Sequence, residues 1–119
     1  MPRDVLRRDL MTAMRARDAV AISALRSAIA ALDNAEAVPV EAEQTTSSSH
    51  IAGAVTGIGA AETQRRQLTE ADVIDILRRE ISERLTAAED AEHVSATTHA
   101  ERLRAEAKVL AAYLGSGDR

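Results

Sequence analysis

Twenty-five of the 119 residues are alanine, whereas Tyr113 is the single aromatic side chain. That imbalance constrains the fold more than any motif does. Alanine is the strongest helix former, and its small side chain lets helix axes approach closely. No run alternates with period two, as a half-buried strand would. The same bias makes the core thin, because an alanine removes far less apolar area from water than a leucine. The expectation is an all-α fold of modest stability, which a partner surface could supplement.

Four segments carry helical spacing, and a chain of this length is one domain, residues 1–119. The first runs from about 2 to 17, with Pro2 in its opening turn and Leu6, Leu10, Ala13 and Met14 as its stripe. Asp18 interrupts and can cap the second, about 18–36, which aligns Ile22, Leu25, Ile29 and Leu32. The third, about 70–88, opens with Thr69 three residues before Asp72, a reciprocal cap, and then aligns Ile74, Leu77, Ile81, Leu85 and Ala88. The fourth, about 98–114, starts where Thr98 precedes Glu101 by three residues and aligns Leu103, Ala107, Leu110 and Leu114. Residues 89–97 read as the turn between the last two. The architecture expected is a four-helix bundle or a pair of stacked helical hairpins.

The character changes between about 37 and 67. Pro39 stops the second helix, a run from Thr45 to Ser49 is polar, and Gly53, Gly57 and Gly59 follow closely. A flexible connection and long loop between helices two and three is the reading.

Reactive constellations are hard to build from this sequence. There is no cysteine, hence no disulfide or thiolate metal site. His93 and His99 stand six apart across a turn, a spacing that suits no helical metal pair, and His50 lies alone beside Ser47–Ser49 without an orienting acid. The glycines near residue 55 follow no strand and precede no Lys-Ser/Thr pair, so they do not form a phosphate loop. Glu89, Asp90 and Glu92 read as solubilising charge. No catalytic residue, cofactor or metal site is therefore expected. No apolar run reaches the roughly 20 residues of a membrane span, and the start Met1-Pro2-Arg3-Asp4 lacks a signal peptide's apolar region. A cytoplasmic protein with no membrane role is the expectation.

The net charge of −4 argues against general affinity for nucleic acid and leaves room for one local basic face. Arg8 and Arg15 project from the first helix, Arg65 and Arg66 precede the third, and Arg78 and Arg79 lie within it. Together they form a candidate basic contact surface for a structured RNA. Interleaved acids give the competing reading of an ordinary solvated face. Arg26, Glu80 and Arg84 flank their apolar stripes. An Arg26–Glu80 pair would fix the register of helices two and three.

These residues also carry a resemblance. The order Leu6-x-x-Asp9-Leu10, Ala13-Met14-Arg15-Ala16-Arg17-Asp18, Leu25-Arg26 and Asn34-Ala35-Glu36, continued by Leu68–Val73, Arg79-Glu80-Ile81-x-x-Arg84 and Ala107–Leu114, resembles the N-terminal helical domain of the YqeY-like (GatB/YqeY) proteins. The resemblance implies a cytosolic helical bundle. It also implies a link to the tRNA-dependent glutamine amidotransferases, which are carbon–nitrogen ligases with glutamine as amido-N donor, though no catalytic motif of those enzymes is present. The function expected is a small non-catalytic binding or accessory module, whose partner is an unknown protein or a tRNA-related complex. The alternative is a structural protein that associates with itself as a homo-oligomer and has no nucleic-acid role.

Overall fold

A computed structural model describes residues 2–37 and 67–115. Among them are four helices and no strand: α1 (Pro2–Ala16), α2 (Ala19–Ala37), α3 (Glu70–His93) and α4 (Thr97–Gly115). The expected all-α class is the observed one. The long connection between α2 and α3 falls outside the described residues. No described helix is long and apolar enough to cross a membrane.

The two tight turns share one device. After α1, Arg17 takes a left-handed φ of 57°, its N–H bonds Met14 O at 3.2 Å, and the Asp18 N–H bonds Ala13 O at 3.0 Å. After α3, Ser95 takes φ 64°, its N–H bonds Glu92 O at 3.0 Å, and the Ala96 N–H bonds Ala91 O at 2.8 Å. Both are Schellman motifs that satisfy the last carbonyls of a helix and reverse the chain at once. Asp18 then caps α2, accepting the Ala21 N–H at 3.1 Å. Thr69 and Asp72 cap α3 reciprocally, as expected: Thr69 Oγ1 accepts the Asp72 N–H, and the Thr69 N–H donates to Asp72 Oδ2, each at 3.0 Å.

Two boundaries differ from the sequence reading. Helix α3 continues five residues past Ala88 to His93, because Ala88 and Ala91 are buried while the acids between them face water. The start of α4 is Thr97, and Ala96 stands at the cap position, its carbonyl accepting the Ala100 N–H at 3.0 Å. Thr98 lies inside the helix.

Helix α3 packs most extensively on α4, α2 lies against both, and α1 lies against α2. The main core joins Leu6 and Ala13, Ala24, Leu25, Ala28 and Leu32, Val73 and Leu77, and Leu110. A separate small core at the far end of the α3–α4 hairpin holds Ala88, Ala91 and Ala100, with Ala96 and Leu103 packed on it. The phase of two stripes also differs from expectation. Met14 and Leu85 are both 44% exposed, and the buried line of α3 passes through Val73, Leu77, Ala88 and Ala91. Alanine lets α4 approach closely at that end, so the interface settles over the small residues rather than over Leu85.

Candidate functional site

Between the two cores lies a set of polar side chains drawn from three helices, four of them charged. Glu80 and Arg84 sit one turn apart on α3, as do Arg102 and Glu106 on α4, so each pair shares a helix face. Arg84 Nη1 donates to Glu80 Oε1 at 2.9 Å and to the Glu80 carbonyl at 3.1 Å, while its Nε donates to Glu106 Oε1 at 3.0 Å. Ser27 of α2 donates to the same Glu80 Oε1 at 2.8 Å. Arg102 Nε reaches Glu106 Oε2 at 3.4 Å, and its Nη2 approaches the carbonyl of Ala19 at 3.5 Å.

Burial makes this cluster costly to disrupt. The side chains of Glu106, Arg84 and Glu80 retain only 9%, 11% and 15% of their exposure. Two carboxylates against two guanidinium groups leave no net charge. The planar guanidinium of Arg84 is suited to holding a carboxylate on each side. Chemically the arrangement is a joint: it fixes how far α2, α3 and α4 slide past one another.

Three residues were expected at an inter-helix polar pair, Arg26, Glu80 and Arg84. Glu80 and Arg84 belong to the joint, but Arg26 is exposed, and the α2 side chain that reaches Glu80 is its neighbour Ser27. Ser27, Arg102 and Glu106 were not legible as members. One signal did exist, since Glu106 lies on the inner side of the line through Leu103, Ala107 and Leu110 and completes an i,i+4 pair with Arg102.

The basic surface is not gathered into one patch by any bond among the described residues. Arg8 is exposed with Asp9 3.8 Å away, and Arg15, Arg78 and Arg79 are exposed on α1 and α3. Arg65, Arg66 and His50 lie outside the described residues. His93 Nδ1 is 2.9 Å from the Glu89 carbonyl, and both His93 and His99 face water. Among the described residues no three of His, Asp and Glu converge as a metal-holding group.

Two further polar contacts tie α1 down. Arg3 Nη1 pairs with Glu36 at 2.7 Å and lies 3.8 Å from Asp33, beside a cleft of about 230 Å³ lined by Arg3, Asp4, Arg7, Glu36, Leu68 and Val73. The Arg3 Nε is buried without a hydrogen-bond partner. Near the end of α4, Tyr113 Oη donates to Asp9 Oδ2 at 2.5 Å. Burial, reinforced by that bond and by the charge of Asp9, pushes the phenol well above its usual range.

Comparison with protein-family models, with curated proteins and with solved structures found no match for this chain.

Proposed function

We propose that the chain is a small helical binding or accessory module of the YqeY-like type, cytoplasmic and without chemistry of its own. Its partner is a protein or a tRNA-related complex, in the setting of a tRNA-dependent glutamine amidotransferase. The observation that carries this reading is a division of labour among the arginines. Arg84 is enclosed by Glu80 and Glu106, whereas Arg8, Arg15, Arg78 and Arg79 stand in solvent. Ionic groups inside hold helices together, and ionic groups outside are left for a partner's phosphates or carboxylates. Exposed Met11 and Met14 lie on the same helix as Arg8 and Arg15, and methionine is an adaptable side chain for docking.

An electrophoretic shift with total tRNA, at about 50 mM and about 200 mM salt, tests the nucleic-acid arm, since phosphate contacts weaken steeply over that range. The expected result is a shift at the lower salt that R8E/R15E/R78E/R79E removes. A pull-down from the host, read by mass spectrometry, tests the protein arm. Failure of both, with the chain folded by circular dichroism, overturns the reading.

A further inference from the structure

The buried line of α3 runs through Val73, Leu77, Glu80, Arg84, Ala88 and Ala91. One residue further on, and so rotated by about 100°, runs a second line: Ile74, Arg78, Ile81, Leu85, Glu89 and Glu92. Its middle is apolar and incompletely covered: Leu85 is 44% exposed, Ile74 is half-buried, and Ile81, packed on the main core by one side, is half-buried as well. Arg104 holds Glu92 at 2.7 Å. Arg78 and Glu89 are exposed, and neither lies within ion-pair distance of an opposite charge among the described residues, although the charge of Glu89 acts on Arg104 from farther off.

The order along this line is cation, aliphatic, aliphatic, anion, at Arg78, Ile81, Leu85 and Glu89. Against a parallel copy, Arg78 meets Arg78 and Glu89 meets Glu89. Against an antiparallel copy, Arg78 meets Glu89, Ile81 meets Leu85, and two-fold symmetry makes each contact twice. We propose that two copies of this chain pair through this line, α3 against α3 and antiparallel, with the symmetry axis between Ile81 and Leu85. Charge order is what selects the occupant: the stretch from Arg78 to Glu89 is complementary to its own reverse. A single helix pair buries less than the roughly 1,200 Å² of a standard interface, so the association belongs to the weak, exchanging class.

Sedimentation or light scattering of the whole chain, from about 10 μM to about 1 mM, reads a weak interface directly. The expected mass climbs from one chain toward two and stops there. Leu85→Glu keeps the chain at one copy, and R78E or E89R alone weakens pairing at least about tenfold, within the range charge juxtapositions produce. The R78E/E89R double variant restores pairing, because the reversed charges face one another again. All four are solvent-facing changes, and circular dichroism checks that each variant is helical. A one-chain mass at every concentration overturns the proposal. So do an L85E chain that pairs like the parent, a double variant as weak as the singles, and open-ended growth past two copies. The measurement uses the chain alone, so it stands apart from the outcome with tRNA or with another protein.

Discussion

Arg84 Nε and Glu106 Oε1 lie 3.0 Å apart across the α3–α4 interface, at a level where both helices would otherwise continue their apolar lines. Removing one partner there leaves the other enclosed. Glu106→Ala is expected to cost about 3 kcal/mol, the low end for breaking a buried pair, since Glu80 still holds the far side of the guanidinium. Urea denaturation measures it. The triple change E80Q/R84M/E106L strands no buried charge, since the Arg102 it leaves unpaired is half in solvent, and is expected within about 1 kcal/mol of the parent. A triple variant as unstable as E106A would show that the charges stabilise by more than mutual compensation.

The left-handed residues of both turns carry side chains. Ser95→Gly and Arg17→Gly are each expected to raise stability by about 1 kcal/mol, the strain a Cβ brings to that region. Thermal unfolding of the two variants reads it, with additivity expected because the turns share no partner. A drop in midpoint would mean that unfolded-chain entropy outweighs the relief of strain.

Thr69→Ala removes the acceptor for the Asp72 amide at 3.0 Å and leaves the Asp72 carboxylate bound to the residue 69 N–H. A loss of about 1 kcal/mol is expected, with Thr69→Ser close to the parent. Equal losses in both would place the effect in the threonine methyl group instead of the hydroxyl.

Tyr113 sets a pH dependence. Its folded phenol titrates above the unfolded one, so the folded chain keeps the proton longer. Its contribution is fully present below about pH 10 and is lost as pH rises from there through the folded value. Denaturation midpoints are expected to fall on the alkaline side of pH 10. Tyr113→Phe is expected to be less stable at neutral pH and to lose this part of the slope. An identical alkaline slope in the phenylalanine variant would assign the effect to other groups.

What was legible in advance follows from which interactions are local. The Thr69–Asp72 cap and the break at Asp18 are decided within four residues, and the sequence reading placed both correctly. The phase of α3 is decided by α4. Ile81 and Leu85 outweigh Ala88 and Ala91 in any apolar stripe, yet close packing prefers the alanines. The acids from Glu89 to Glu92 read as a turn, although they are the wet side of a helix whose dry side is Ala88 and Ala91. Glu106 was hard to see because its inter-helix partner Arg84 lies 22 residues away, and the i,i+4 spacing to Arg102 alone does not mark a buried carboxylate. As for the candidate site, two of its five members were named, and the third residue named with them was displaced by its neighbour Ser27.

Among the described residues, the small alanine cluster beyond the joint takes no member from α1 or α2. Its three buried members expose little surface when they separate, so the loss of apolar contact on parting is slight. The tip of the second hairpin is therefore free to fray while the remainder stays intact, as a cooperative unit of its own. In deuterium, the amides flanking Ala91 and Ala100 would exchange ahead of those flanking Leu25 and Leu32, and the ionic joint would mark where the slow-exchanging region begins.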